Sequence, residues 1–238
     1  MVTQIQLDDI AVDVLFKDIK NIHLSIYPPT GRVRISAPLR MDVETIRVFT
    51  ISKLNWIKRH QRKLQKQMRE TPREYLDRES HYVWGKRYLL KIIEEDAAPE
   101  VELKHSTMIL RIRPGTNPEM KQAIIAHWYR KQIKFAVTDL IPKWEAVIGV
   151  KVSRVFVQKM KTKWGSCNIN TRNIRLNTEL AKKPAQCLEY VVVHELVHLL
   201  ERHHNDRFIE YMNRFIPSWR LYKDELNQAP LNHEHWKY

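Results

Sequence analysis

Cysteine is nearly absent from this chain of 238 residues: Cys167 and Cys187 are the only two, and they form neither a CxxC nor another paired zinc spacing. A disulfide framework is excluded on that count. No run of eighteen apolar residues occurs, so no segment reads as a membrane-spanning helix. Residues 1–9 lack the basic-then-apolar order of a signal peptide, and the expected location is cytoplasmic. Acidic residues are scarce, 27 Asp and Glu against 41 Lys and Arg, which leaves a formal charge of +14 and a pI near 9.8. Such an excess predicts a polyanionic partner such as DNA, or else a generally solvated basic surface. No internal repeat or low-complexity tract is evident. The length fits one large or two small domains with a proper core.

Histidine, by contrast, is concentrated. Four of the eleven fall within residues 194–204, in His194-Glu195-Leu196-Val197-His198-Leu199-Leu200-Glu201-Arg202-His203-His204. An i,i+4 histidine pair places both imidazoles on one helix face, close enough to grip one ion, and the intervening glutamate can reach a water beside it. Composition alone would supply HExxH in roughly four of a hundred such chains, so the bare motif is only suggestive. Its surroundings raise it. Leu188, Val191, Val192, Val193, Leu196, Val197, Leu199 and Leu200 make the helix apolar nearly all round, which predicts burial. Two imidazoles and a carboxylate buried without partners would cost several kcal/mol, a penalty that a metal removes. A satisfied pair of core histidines is the alternative.

A third ligand can come from His203 or His204. On an unbroken helix His203 would point roughly 140° away from the pair and His204 would also miss, so the helix must end near Glu201 and Arg202. No glycine is present there to ease the turn. Three protein ligands plus water is the catalytic form of a zinc site, whereas structural sites close with four.

The string Met160-Lys161-Thr162-Lys163-Trp164-Gly165-Ser166-Cys167-Asn168, then Ile174-Arg175-Leu176-Asn177, then HELVHLLERHHNDRF ending at Phe208, resembles the YgjP-like family of predicted zinc metallopeptidases. The resemblance extends to Pro217-Ser218-Trp219, to residues 230–238, and upstream to Arg34-Ile35-Ser36-Ala37-Pro38. That family is similar in turn to SprT-like proteases, some of which act on proteins attached to DNA. The ligand pattern it implies, HExxHxxxxxH, maps onto His194, His198 and His204, with Glu195 as the catalytic glutamate and one zinc per chain.

Along the chain, alternation predicts strands at residues 11–16, 22–27 and 32–36, with Pro28-Pro29-Thr30-Gly31 as a turn. A helical pattern follows over 43–69, with Ile46, Phe49, Leu54, Trp56, Ile57 and Leu64 on one face. Its other side carries Lys58, Arg62 and Lys66 among further cations, which could follow phosphates or simply face solvent. Strands are expected at 81–84, 87–94, 101–104 and 108–113, with Trp84-Gly85-Lys86 as a tight turn. A long helix follows Pro118, which Pro142 would kink or break, then a strand at 152–160, further strands, the histidine helix, and helices at 206–215 and 217–226.

Residues 159–168 interleave cations with Trp164, Gly165, Ser166 and Cys167 after a strand and before the histidine helix. Their backbone could form the edge on which an extended peptide pairs, glycine permitting a close approach. Cys167 could face the metal as a redox-sensitive thiol or be a buried small hydrophobe, and Cys187 reads as the latter. His233, Glu234 and His235 could form a second metal site, fold over the cleft, or belong to a frayed end. Tyr190, Tyr211, His203 and His233 are within reach as oxyanion stabilisers.

The sequence therefore predicts an α+β protein, with a β-rich region and one long basic helix over 1–115 and a zincin-like catalytic domain over 116–238. The expected activity is hydrolysis of peptide bonds in a protein or peptide substrate by zinc-activated water, with Glu195 as the proton carrier. A nucleic-acid-binding protein with a structural metal, and a metal-dependent hydrolase of a non-peptide substrate, remain alternatives.

Overall fold

The computed structural model describes residues 2–7, 9–27, 30–66, 74–160 and 163–228. They form an α+β protein of two compact units, divided between the second helix and the fifth strand. The first unit contains β1 (Val2–Leu7), β2 (Ile10–Lys17), β3 (His23–Tyr27), β4 (Arg32–Pro38), α1 (Val43–Ser52) and α2 (Leu54–Lys66). The sheet order is β1-β2-β4-β3, with two antiparallel hairpins joined by a parallel β2–β4 pair. Alternation buries Val12 and Val14 with Val33, Ile35 and Ala37, and Ile46 and Ile57 from the helices complete this core. The strand β1 lies outside the sequence expectation. The single helix expected over 43–69 is two, because Thr50 Oγ1 and Ser52 Oγ bond back to the carbonyls of Ile46 and Phe49 and the first helix closes at Lys53.

The second unit begins with β5 (Ser80–Val83), β6 (Lys86–Glu94), β7 (Glu100–Lys104) and β8 (Thr107–Ile112) in the order β5-β6-β8-β7. Its parallel central pair is β6–β8, flanked by two hairpins, so the strand plan of the first sheet recurs although no sequence period announces it. The β5–β6 turn needs left-handed backbone at Trp84 and Gly85, with φ of 48° and 78°, as a two-residue hairpin does. A Cβ at Gly85 would sit 2.9 Å from Pro184 Cγ, and Trp84 N–H donates to the Ala181 carbonyl at 2.8 Å, so this turn docks just before the histidine helix.

The division expected after residue 115 is thereby corrected. Val83, Leu90, Met108, Leu110 and Ile112 share one core with the helices that follow, so β5–β8 belong to the unit that carries the histidine helix. Local alternation reports which face of a strand is buried but not which helices cover it.

The helix α3 (Pro118–Ile148) starts at Asn117, whose side chain caps Met120 N–H, and ends at Gly149 with φ 78°. It runs through Pro142 unbroken, because Ile141, Trp144 and Ile148 beside and beyond the proline are all buried in the same core as Ile125 and Ile133. Then come β9 (Arg154–Gln158), β10 (Gly165–Asn168), β11 (Asn173–Asn177), a 3-10 turn Thr178–Lys182, α4 (Ala185–Val197), α5 (Asp206–Phe215) and α6 (Trp219–Gln228). The third sheet has the order β10-β11-β9, which leaves β10 at an edge. The helix α3 packs against α4, tied by Lys143 Nζ and Trp144 Nε1 donating to Glu189 Oε1 at 2.8 and 2.9 Å. No described helix is long and apolar enough to cross a membrane.

Glu145 secures the exit from α3. Its carboxylate accepts from Val152 N–H at 2.6 Å and from Lys151 Nζ at 2.8 Å. Burial acts to raise this carboxyl, but the two donors outweigh it and hold it below the ordinary range. A depressed value in the folded state stabilises above the unfolded pKa and is lost as pH falls through the folded one. Glu145→Gln is therefore expected to cost about 1 kcal/mol at pH 7, with the difference from wild type shrinking in denaturant titrations carried out below pH 4.5.

Candidate metal centre

The α4 segment is buried along Val191, Val192, Val193, Leu196 and Val197, as its apolar composition demands. Regular helix stops at Val197, and the N–H groups of Leu200 and Glu201 add one last turn by donating to the Val197 carbonyl. Side chains do what a glycine would otherwise do there. The His198 Nδ1 lies 3.1 Å from the Glu201 carbonyl, an acceptor only, so Nδ1 carries the proton and Nε2 is left as the ligand atom. Glu201 Oε1 accepts from His203 N–H at 3.1 Å, and Asn205 caps α5 by accepting from Phe208 N–H at 3.0 Å.

The turn brings His204 back to the helical pair. The ligand atoms of His194, His198 and His204 lie within 4.8 Å of one another, and the Nε2 atoms of His194 and His204 are 3.1 Å apart. Two zinc-bound imidazoles on a tetrahedron stand about 3.4 Å apart, given Zn–N bonds of ~2.1 Å, so the donor set fits that ion. The adjacent His203 is exposed and does not line the cleft.

Phe208 is the residue that sequence reasoning missed. Its ring, 2% exposed, lies 5.0, 4.8 and 4.7 Å from the rings of His194, His198 and His204, so one side chain on α5 braces all three. Tyr190, one turn before His194, meets that ring edge-on and stacks on Trp219 of α6. Burial, helped by the neighbouring imidazoles and Lys223, pushes the His194 pKa down to about 3, and burial lowers His198 and His204 too. All three are thus neutral and able to ligate at pH values where a free histidine is protonated. Burial pushes Glu195 up to about 8 against the pull of Lys163, and Tyr190 up to about 12.

Glu195 and the three histidines open into a cleft of about 790 Å³ whose other wall is β10. Trp164, Gly165, Ser166 and Cys167 all line it. Gly165 faces α4 so closely that a Cβ there would lie 2.6 Å from Glu195 Oε1 and 2.8 Å from Val191 Cγ1. Cys167 is half-buried, its thiol pushed up to about 11 by burial and the Glu195 charge, and Cys187 is fully buried beside Glu225. Asn177, at the end of β11, holds the approach to this wall. Its Nδ2 donates to the carbonyls of Met160 and Lys163, both at 2.8 Å, and its Oδ1 accepts from the N–H groups of Met160 and Glu179.

Two solved structures resemble parts of this chain. The metallopeptidase zymogen of Pyrococcus abyssi abylysin matches at 19% identity over 38% of this chain and 90% of its own, with a TM-score of 0.36. The metallopeptidase zymogen of Methanocaldococcus jannaschii jannalysin matches at 19% identity over 39% and 94%, with a TM-score of 0.35. No curated protein matches. The sequence pattern described as YgjP-like, metallopeptidase domain, matches residues 20–229. The chain belongs to the YgjP-like family.

Family and histidine cluster together make this YgjP-like protein a metal-dependent hydrolase of the metallopeptidase class. Its remaining sequence candidates are distributed unevenly. Of those considered for the oxyanion, Tyr190 lines the cleft, the Tyr211 hydroxyl accepts from Arg207, and His233 lies outside the described residues with the rest of 229–238. On α2, Lys58 pairs with Asp9 at 3.2 Å, Arg62 is exposed, and the Lys66 side chain lies outside the description.

Proposed function

We propose that this YgjP-like protein is a zinc-dependent peptidase in which His194, His198 and His204 hold the ion and Glu195 is the general base. The supporting observation is the convergence of three neutral imidazoles and one buried carboxylate beside β10, an edge strand among the described residues. Zinc held by the three histidines would supply Lewis acidity for the scissile carbonyl and for water, whose pKa it would lower toward ~7. The chain does the rest. The edge strand β10 aligns an extended peptide by main-chain hydrogen bonds, and Gly165 lets β10 itself lie close over Glu195. Glu195 takes a proton from the attacking water and returns it to the leaving amine, a task suited to a carboxyl whose pKa lies near neutrality. Tyr190 stays protonated and can donate to the developing oxyanion.

The rival reading as a closed structural site would need a fourth protein donor, and among the described residues the cluster is three histidines. The +14 charge supports recruitment to DNA; on α2 Lys58 already faces Asp9, while Arg62 and its neighbour Arg59 are exposed and could meet phosphate.

Elemental analysis of purified protein tests the site. Wild type is expected to carry one zinc per chain, His194→Ala, His198→Ala and His204→Ala to lose most of it, and His203→Ala to keep it. Full zinc in the first two variants, or greater loss from His203→Ala than from His204→Ala, would overturn the ligand set.

A further inference from the structure

The metal centre and Glu195 leave part of the cleft unexplained. Lys163, Arg175 and Arg202 also line it, and Glu195 is the one acidic side chain among the described lining residues. Among the described residues no carboxylate lies within 4.0 Å of any of these three cations, Lys163 acting on Glu195 only at longer range, although elsewhere Arg111, Lys143, Lys151 and Lys182 are matched to acids. A row of unmatched cations around a concave wall favours a ligand that brings negative charge.

The strand register says where that charge falls. Gly165 pairs with Leu176 and Cys167 with Ile174, and these positions face the core and α4. Ser166 pairs with Arg175, which pairs in turn with Phe156, so these three share the opposite face. The Arg175 guanidinium lies 5.7 Å from the centre of the Phe156 ring, an arrangement that orients a planar cation while leaving N–H edges free. A peptide strand added to the free edge of β10 sends the residue opposite Ser166 to that same face. It would stand two strand spacings, about 10 Å, from β11, a gap that an arginine and a glutamate span together. Ser166, between them, is too small to block it.

We propose that the cleft selects peptides with an acidic side chain next to the scissile segment, at the position opposite Ser166, and that Arg175 reads this charge with Lys163 and Arg202 reinforcing it. Specificity of this kind rests on the peptidase reading above but concerns binding, so it can be measured without turnover. The same arrangement disfavours a lysine at that position, since a like charge would be brought toward Arg175.

The test uses end-blocked peptides that are identical except at one position at a time, which is Glu, Gln or Lys. Binding to zinc-loaded Glu195→Gln protein is followed by fluorescence anisotropy, and cleavage by zinc-loaded wild type by mass spectrometry. At one position Glu is expected to exceed Gln, and Gln to exceed Lys, by ~3–10-fold per step in affinity at low salt. The order should invert when Arg175→Glu is combined with Glu195→Gln. Because each result is a ratio between peptides, a general loss of binding by the variant cancels. If Arg175→Glu does not fold, Arg175→Gln is read the same way, with the order expected to flatten. Equal binding of the three peptides at every position, or an order that survives both substitutions, overturns the proposal. A charge order in binding with no peptide cleaved by wild type leaves the proposal standing and overturns the peptidase reading instead.

Discussion

Glu195→Gln is expected to leave fold and zinc content unchanged while lowering peptide turnover by ~10²–10⁴. The side chain is buried, stands on the α4 turn between His194 and His198, and is not among the three donors that converge. Glutamine keeps its volume and hydrogen-bonding oxygen but cannot take a proton. In a structural site the same change would alter no activity, so equal rates for the two proteins in any demonstrated cleavage would sink the mechanism. A second readout needs no substrate. In metal-free protein burial raises the Glu195 carboxyl from 4.5 to about 8. A raised folded value means that the stability it carries is complete below the unfolded pKa and lost as pH rises through the folded one. Metal-free wild type should therefore lose stability relative to metal-free Glu195→Gln between pH 4.5 and about 8, and melting temperatures across that range would reveal it.

The parts of the site that were legible in the sequence are those written in local spacing. The pair His194 and His198 with Glu195 follows from one helical period, and the apolar residues around them predict the burial that the core bears out. Strand positions from β2 to β9 were legible for the same reason, because alternation is local. What could not be read depends on contacts between distant segments. Phe208 looks like any apolar position of an amphipathic helix until α5 folds back beneath the imidazoles. Arg175 is one cation among 41 until register sets it level with Ser166. Asn177 ends an ordinary strand, and its role appears only once the carbonyls of Met160 and Lys163 meet its amide. The unbroken α3 makes the converse point: Pro142 is a strong local signal, and burial on both sides of it prevails.

The second large effect is expected at Gly165, where sequence suggested a close approach and the structure says to what. Its backbone is not left-handed, so alanine there would meet no conformational penalty of its own. The obstacle is the added Cβ, which would lie 2.6 Å from Glu195 Oε1, 2.9 Å from Glu195 Cγ and 2.8 Å from Val191 Cγ1. Val191 is fixed in the core, so either the Glu195 carboxylate rotates away or β10 lifts from α4. Both responses strike the reaction: one misdirects the base, and the other moves the edge that aligns the peptide, where ~1 Å can cost about 10²-fold. Neither touches the histidines. Gly165→Ala should thus keep its zinc, fall by ~10²-fold or more in kcat/KM, and melt at a lower temperature by an amount reflecting ~1–3 kcal/mol of overpacking. Unchanged kcat/KM in a folded, zinc-loaded Gly165→Ala protein would mean that the wall of the working cleft is not β10, and the peptide would have to be placed elsewhere around the three histidines.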